Sequence, residues 1–383
     1  MKNVIVRAPL LTMSGYGVHS RQLYKWLEKK EGVNIHSNIV PWGRTSWLLN
    51  EQWDSGVIGR IMQSSAGNGP RPDVSFQLQL PNEWDPTLAP VNIGITAAVE
   101  TDICNPNWIE CCNRMTAVVV PSQHTANVLN SSGKITVPLH VVGESFIDEC
   151  VTAKPIELKL DTKFNFLVLG QLTDHNPFHD RKNVMFTLRW LCEAFADDPD
   201  VGIIVKTNSG KGTKIDRRIT RNVLQNVVKE IRPGLFPRVH FLHGHMDPDE
   251  IAGLYKEESV KALVSATRGE GFGLPLLEAA ACDLPVIATN WSGHLDFLNL
   301  QKWLKVDYKL QAIPDQRCDQ NIFMKGARWA EPSEESFKST VRKFRKKPEK
   351  PSEWAVKLGS SVRDTFSQEN ICKQYDNALG RFL

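Results

Sequence analysis

The chain has 383 residues, about two domains by the usual length prior. Its 41% hydrophobic and 23% charged residues are typical of soluble globular proteins, and its formal charge of +3, from 46 basic and 43 acidic residues, gives no support to nucleic-acid binding. The eight cysteines show no CxxC pair and no zinc-type spacing with histidine, and we find neither a signal peptide nor an apolar stretch of about 18 residues. We therefore expect a cytoplasmic protein with reduced thiols, no metal site and no integral membrane segment.

The first predicted elements are a strand at 4–6 and a helix that starts after the glycine turn MSGYGVHS at 13–20. Gly15 and Gly17 of this turn form only a G-x-G, because the third glycine of the dinucleotide-binding fingerprint is missing. Two interpretations stay open: a phosphate cradle, and a tight connection between strand and helix.

Two carboxylates, Glu100 and Asp102, follow a strand predicted over 91–99. The carboxyl ends of strands are where α/β sheets place their chemistry, which favours a role in acceptor binding or proton transfer. The alternative is a pair of solvated acids at a strand end. Several histidines and tryptophans of this half can contact a ligand or pack the fold, and we favour packing for His19, His124, Trp42, Trp47 and Trp53.

The second half starts after a polar linker at 151–163 with a strand at 164–169 that leads to Gly170. Arg181 and Lys182 precede the next predicted helix, so two positive charges lie at the positive end of its dipole. This arrangement is unfavourable unless an anion is present, and it therefore predicts an anion site. A solvated pair of cations is the alternative.

The stretch 261–293 predicts a strand, a glycine-rich loop, a short helix opened by Pro275 and a second strand, which together form a parallel α/β unit. Glu270 on the loop and Glu278 at the end of the first helical turn have seven residues between them. Glycines let a ligand approach the backbone, and free amides at a helix start suit a phosphate. Amides for phosphate and carboxylates for hydroxyls would suit a sugar nucleotide, although acids near a helix start are also common for dipole reasons alone.

The string EGFGLPLLEA at 270–279 resembles the E-x7-E motif of retaining GT-B glycosyltransferases of the GT4 type. The segments 100–122 and 170–183 resemble the same group through their ETD, VPS and G-x-L…RKN strings, so the likeness extends over most of the chain. The resemblance implies an α/β GT-B architecture of two Rossmann-like parallel-sheet domains that face a deep cleft. The implied parts are an acceptor-side domain at 1–150, a linker at 151–163, a donor-binding domain at 164–358 and a C-terminal helix at 359–383 that crosses back.

A glycosyltransferase of this type moves a sugar from a nucleotide-diphosphate sugar to an acceptor hydroxyl, with retention and without a metal or a separate cofactor. The resemblance implies a UDP- or GDP-linked donor and leaves the acceptor open among a saccharide, a lipid-linked glycan, a protein and modified nucleic acid. It implies catalytic roles for Lys182 and Arg181 at the diphosphate and for Glu270 at the sugar hydroxyls, with Glu278 at the ribose. Members of the group often carry an arginine where this chain has Gln171. The other donor-binding residues that we expect are Gly15, Gly17, Gly170, Gly271, Phe272, Gly273 and Leu274.

Three alternatives share parts of this prediction. A GT-B sugar-nucleotide epimerase would convert the donor without an acceptor, and a non-catalytic protein would bind the donor without turnover. A transferase acting on modified nucleic acid would use the basic run at 342–350 and the loop at 211–221, although the balanced net charge argues against it.

Asp247 and Asp249 form a D-x-D triplet, which we interpret as a helix cap and not as a metal site.

Overall fold

The computed structural model describes residues 1–67, 69–171, 174, 176–207, 213–232 and 234–383. The chain divides into two compact units. The first unit contains Met1–Ser145, Gln320–Met324 and Gln368–Leu383, and the second unit contains Phe146–Asp319 and Lys325–Ser367. The domain boundaries expected from the sequence stay a prediction.

The first unit is built on a six-stranded sheet in which all neighbouring strands are parallel. Its strands are β1 (Lys2–Ala8), β2 (Val33–Ile39), β3 (Val74–Leu78), β4 (Val91–Ile95), β5 (Ala117–Val120) and β6 (Leu139–Val141), in the sheet order β2-β1-β3-β4-β5-β6. Strand β5 is fully buried, as its unbroken apolar run AVVV predicts for a parallel sheet that is covered on both faces. The helices that follow these strands are α1 (Gly15–Glu28), α2 (Trp53–Ser64), α3 (Pro106–Asn113) and α4 (Gln123–Ser132).

The sequence predicted that strand β4 extends to residue 99, but the strand ends at Ile95. Its ladder with β5 stops at Ile95, and the Ala97 N–H donates to the Tyr16 hydroxyl at 3.2 Å instead of to a strand partner. Val99 then takes a φ of +126°, which lies outside the range of a strand. The Tyr16 side chain of α1 therefore ends the strand. Nothing in the sequence of β4 indicates this contact.

The second unit repeats the plan with another parallel sheet of six strands. The strands are β7 (Phe164–Leu169), β8 (Val201–Thr207), β9 (Arg238–His243), β10 (Val260–Ser265), β11 (Val286–Thr289) and β12 (Leu304–Val306), in the order β12-β11-β10-β7-β8-β9. An antiparallel pair, β13 (Tyr308–Ala312) and β14 (Arg328–Pro332), stands apart from this sheet. The helices are α5 (Glu149–Thr152), α6 (Val184–Ala194), α7 (Lys214–Ile231), α8 (Pro248–Tyr255), α9 (Leu274–Ala281), α10 (Leu295–Leu298), α11 (Glu334–Lys346) and α12 (Glu349–Phe366).

The expected α/β class with two parallel sheets is confirmed. In the second sheet β11, β10 and β7 are neighbours, so the loops that follow these three strands leave the same edge side by side. In the described part of the chain, those loops contain residues 170, 171, 174, 176–183, 266–273 and 290–294. Most of the residues that the sequence singled out in this half therefore lie at one sheet edge.

The C-terminal segment differs in detail from the single helix predicted over 359–383. Helix α12 ends at Phe366, and α13 (Gln368–Leu379) follows after Ser367, whose ψ of 152° is extended. The break lies at the boundary between the second unit and the last segment of the first unit. No helix in the described part of the chain is both long and apolar enough to cross a bilayer.

Candidate active site

Glu270 is the centre of a buried charge cluster at the carboxyl edge of the second sheet. Its residue is only 5% exposed, and the Lys182 ammonium donates to both carboxylate oxygens at 2.7 Å. The Thr267 hydroxyl donates to Oε1 at 2.9 Å, and the Arg181 guanidinium lies 3.4 Å from Oε2. Burial alone would raise the pKa of Glu270, but the charges of Lys182 and Arg181 and the Lys182 hydrogen bond outweigh it and lower the pKa to about 2. Glu270 is therefore ionised at every physiological pH.

The two cations before α6 have an anionic partner within the protein. The Glu270 carboxylate lies 2.7 Å from the Lys182 ammonium and 3.4 Å from the Arg181 guanidinium. Asp180 accepts hydrogen bonds from the backbone N–H groups of Lys182 at 3.2 Å and Val184 at 2.9 Å, so it caps the first turn of α6. The sequence did not show which acid would approach the two cations, and the anion site predicted from them stays a prediction.

Arg181 connects two loops in addition to its contact with Glu270. Its guanidinium donates to the Gly269 carbonyl, and its own carbonyl accepts from the Arg268 N–H at 2.8 Å. These contacts hold the loop before α6 against the loop after β10. The role of Arg181 at the diphosphate stays a prediction, while its contact with Gly269 gives it a structural function that the sequence did not suggest.

Arg268 is a buried cation that the sequence analysis missed. It is 1% exposed, and Nη1 donates to the carbonyls of Pro177 at 2.8 Å and Asp180 at 2.7 Å. Nε and Nη2 donate to the two oxygens of Glu331 in β14 at 2.7 and 3.0 Å. One side chain therefore connects three segments of the second unit, and its partners lie too far along the chain for any local pattern to reveal them.

The loop after β11 supports the backbone of Glu270. The Ser292 hydroxyl accepts the Glu270 N–H at 2.9 Å, and the Gly293 N–H donates to the Glu270 carbonyl at 2.9 Å. His294 is fully buried and its Nε2 donates to the Thr289 carbonyl at 2.7 Å. The sequence had marked the glycine turn at 290–293, but the contacts of Ser292 and His294 were not foreseen.

The start of α9 presents backbone amides beside this cluster. The helix begins at Leu274, one residue before the predicted start, and Gly273 is its N-cap with a φ of +105° that favours glycine. Within the described ranges, the N–H groups of Phe272, Gly273 and Leu274 donate to no acceptor. The ring of Phe272 is buried against Phe297, so only its backbone can face a ligand. These three amides are available to an anion at the positive end of the helix dipole.

Glu278 is one turn further along α9 and belongs to a different set of contacts. The Tyr255 hydroxyl of α8 donates to Oε2 at 3.2 Å, a partner that the sequence analysis missed. Burial raises the pKa of Glu278 to about 7, against the lowering effect of the Tyr255 hydrogen bond. The two glutamates of the E-x7-E string therefore differ in chemistry: Glu270 is always ionised, and Glu278 titrates near neutrality.

Gly170 follows β7, and its N–H donates to the Lys206 carbonyl at 3.2 Å. That amide is therefore part of the sheet ladder, and a donor contact through it would have to compete with an existing hydrogen bond. Asp247 is the N-cap of α8, where its N–H donates to the Glu250 carboxylate at 2.9 Å. The capping interpretation of the D-x-D triplet is confirmed.

In the first unit the glycine turn is explained by helix packing. Ser14 caps α1 by accepting the Gly17 N–H at 3.0 Å. A Cβ on residue 17 would lie 2.1 Å from the Thr12 carbonyl oxygen, so only glycine fits there, whereas a Cβ on Gly15 would meet no atom within 4 Å. Donor binding by the two glycines stays a prediction, and the requirement for glycine at 17 has a sufficient structural cause.

We expect Gly17→Ala to lower the free energy of unfolding by about 1–3 kcal/mol, because the methyl group must displace the Thr12 backbone. Gly15→Ala is the matched control and should change it by no more than about 0.5 kcal/mol. Urea unfolding of both variants measures the difference. Equal stability of the two variants would show that the turn is not tightly packed.

The acceptor-side candidates Glu100 and Asp102 lie on the loop after β4 and are both partly exposed. Tyr16, between the two glycines, donates to or accepts from the Thr96 hydroxyl at 3.1 Å and stacks on Trp42 with ring centroids 3.8 Å apart. Burial raises the pKa of Tyr16, and the nearby Glu100 carboxylate adds to that effect. Glu100 and this aromatic pair are therefore neighbours, and their role toward an acceptor stays a prediction.

His19 has the packing role that we favoured. It is 1% exposed, and Nε2 is hydrogen-bonded to the Tyr375 hydroxyl at 2.9 Å. Burial lowers the pKa of His19 to about 3, so the imidazole is neutral. It holds α1 against α13 within the first unit.

Comparison with known proteins supports the fold assignment. Residues 227–315 match the model of the family described as glycosyl transferases group 1. Sucrose-phosphate synthase from Thermosynechococcus elongatus is similar to this chain with a TM-score of 0.66 at 14% identity, over 100% of this chain and 99% of that one. HepE from Anabaena, solved with UDP and glucose, has a TM-score of 0.64 at 13% identity, over the whole of both chains. The search of curated proteins found no match.

At identities this low the likeness establishes the fold and not the activity. The matched family segment includes β9, α8, β10, α9 and β11, and so contains both glutamates and the loop that carries the three free amides. The chain therefore has the two-sheet α/β fold of the GT-B glycosyltransferases.

Proposed function

We propose that the protein transfers a glycosyl group from a nucleotide-diphosphate sugar to an acceptor hydroxyl, with retention and without a metal ion. The observation that carries the proposal is the position of Lys182, Glu270 and the free amides of α9 at one sheet edge. The match of residues 227–315 to group 1 glycosyl transferases supports it independently. HepE, which was solved with UDP and glucose, supports a UDP-linked donor.

The leaving group of such a transfer is a nucleoside diphosphate on which negative charge develops. Lys182 donates to both carboxylate oxygens of Glu270, and its positive charge lies beside the start of α9, where a phosphate oxygen would bind. The amides at the start of α9 supply further donors and the positive end of a dipole. These groups are held in place before the donor binds, so little reorganisation is needed in the transition state.

The contacts of Glu270 refine the role that the resemblance implied. Lys182, Thr267 and Arg181 already surround its carboxylate, so a sugar hydroxyl must share or replace one of them. We propose that Glu270 first fixes the Lys182 ammonium and then accepts from the sugar hydroxyls once a phosphate draws Lys182 toward itself. This order makes the positions of donor phosphate and sugar interdependent.

Glu278 is the proposed acceptor for the ribose hydroxyls, and this contact is strongest when the carboxylate is ionised. With a pKa of about 7 in the folded protein, ionisation is incomplete at neutral pH, so donor affinity should rise as the pH increases through about 7. Because the folded pKa lies above the ordinary value of 4.5, the folded state holds the proton more tightly, and the stability of the unliganded protein should fall as the pH rises from 4.5 to about 7.

The test is the thermal shift produced by UDP-glucose and GDP-mannose between about pH 6 and pH 8.5. For the native chain, we expect the shift from the preferred donor to increase with pH. Glu278→Gln should abolish the shift and leave the unliganded protein at least as stable as the native chain at about pH 8, because the ionisation cost is removed. Glu335→Gln, an exposed acid on α11, is the control and should behave like the native chain. A full donor shift in Glu278→Gln would show that the ribose assignment is wrong.

The alternatives differ in their products. An epimerase would give a new sugar nucleotide and no free nucleoside diphosphate, and a binding protein would give neither. The proposed transferase should release nucleoside diphosphate with a suitable acceptor and give a product of retained anomeric configuration. NMR of the donor after incubation with and without candidate saccharides distinguishes all three.

Glu100 and Asp102 are the residues of the first unit that we propose for the acceptor.

A further inference from the structure

Helix α7 of the second unit has a strongly basic exposed surface. Two acids, Asp216 and Glu230, accompany six cations over 214–232, and Asp216 is used in the capping box with Thr213. Within the described residues none of the six cations forms an ion pair with a carboxylate. They are Lys214, Arg217, Arg218, Arg221, Lys229 and Arg232.

The other basic helix of this unit is neutralised in part. On α11, Lys338 pairs with Glu193 and Glu334, and Arg345 pairs with Asp198 at 3.1 Å. The basic run at 342–350 is therefore in part an internal ion-pair surface. Of the predicted basic loop at 211–221, residues 211 and 212 lie outside the described residues, and the rest is Thr213 with the first half of α7.

Large aliphatic side chains lie exposed among the cations of α7. Ile215 is 62% exposed and Ile219 is 54% exposed, and their spacing of one turn places them on the same side of the helix. Thr220 and Leu224 are the buried residues of the helix and face the sheet. Leu235, just after the helix, is 71% exposed. Isoleucines that point away from the core beside cations are typical of a helix that lies on a membrane surface.

A groove of about 590 Å³ runs along the opposite flank of α7. Its floor is apolar and includes Val205, Leu224 and Phe241, because α7 leaves the edge strand β9 partly uncovered. Four of the cations line the rim, and none of the described residues that line the groove is acidic.

We propose that the exposed face of α7 forms a docking surface for a bilayer that contains anionic phospholipids. The cations of α7 would contact the lipid phosphates, and Ile215 and Ile219 would enter the interfacial region. A nucleic acid would contact the same cations. Proteins that bind single-stranded nucleic acids stack the bases on aromatic side chains, and exposed isoleucines would add nothing to that binding. The aliphatic residues therefore favour a membrane surface over a nucleic acid.

The test is co-sedimentation of the full chain with vesicles of phosphatidylcholine alone or with roughly a third of phosphatidylglycerol. We expect binding to the anionic vesicles only, and a decrease as salt is raised. Ile215→Ser with Ile219→Ser should lower the vesicle partition coefficient by at least about fivefold at unchanged charge. Arg217→Gln, Arg218→Gln and Arg221→Gln together should lower it by at least about tenfold. The matched control, Lys343→Gln with Lys346→Gln on α11, should bind as the native chain does.

Several results would overturn the proposal. Absence of binding to anionic vesicles, or equal binding to neutral ones, would exclude the docking surface. Duplex DNA binding that falls with the arginine variant, together with vesicle binding that is insensitive to the isoleucine variant, would assign the surface to nucleic acid. None of the residues substituted in this experiment belongs to the candidate active site, so the donor-induced thermal shift should be unchanged in every variant. If the proposed enzymatic function is wrong, the vesicle result can still be interpreted by itself.

Discussion

Replacing Lys182 with alanine is expected to lower the rate of donor turnover by about tenfold to 150-fold. Hydrogen bonds to charged groups contribute about 1.5–3 kcal/mol each, and the Lys182 ammonium is the cation best placed to meet the leaving diphosphate. The loss also frees the Glu270 carboxylate from its closest counter-ion, so the pKa of Glu270 should rise. The measurement is the slow release of nucleoside diphosphate from the preferred donor with water as the acceptor, which does not depend on knowing the natural acceptor.

Two controls separate the charge from the fold. Lys182→Arg keeps the positive charge and should retain more activity than the alanine variant. Lys338→Ala removes a lysine that is paired with Glu193 on the outer surface of α11, and it should leave turnover unchanged. If Lys182→Ala turns over the donor as fast as the Lys338 variant, the diphosphate is not held by Lys182.

Replacing Arg268 with methionine is expected to lower the free energy of unfolding of the second unit by about 3–5 kcal/mol. The variant leaves the carbonyls of Pro177 and Asp180 without their donors and the Glu331 carboxylate without its cation. It also releases the loop that carries Lys182, so the donor-induced thermal shift should decrease. Urea unfolding followed by a probe of the second unit measures the stability, since two units need not unfold together.

Arg189→Met is the matched control for the Arg268 variant. Arg189 forms its ion pair with Glu193 at 2.8 Å on the surface of α6, where the side chain is 53% exposed. Exposed pairs of this kind contribute no more than about 1 kcal/mol. Equal effects of the two arginine variants would mean that the buried contacts of Arg268 are replaced at no cost by water.

Much of the candidate site was recognisable from the sequence because its residues lie in a compact local string. Glu270, Gly273 and Glu278 are fixed relative to one another by a loop and one helical turn, and a proline near the helix start marks that turn. Lys182 was found because a cation before a helix is unfavourable by itself. The sequence could not show that its nearest anion is Glu270, because 88 residues separate the two.

The supporting residues escaped the sequence analysis for a physical reason. Arg268, Ser292 and Tyr255 act through hydrogen bonds to partners on other elements, and neither spacing nor composition encodes such partners. The early end of β4 has the same cause, since the Tyr16 hydroxyl from α1 takes the amide that a longer strand would use.

The sequence by itself determined the class of fold, through short apolar runs that alternate with helical periods, and it predicted the loop of the candidate site, through the two glutamates and the glycines between them. Only the tertiary structure decided the chemical state of those groups. Lys182 and Arg181 keep Glu270 ionised, whereas burial on α9 brings the pKa of Glu278 to about 7. The same side chain type behaves differently at the two positions because charge and burial depend on neighbours that folding brings together from distant parts of the chain.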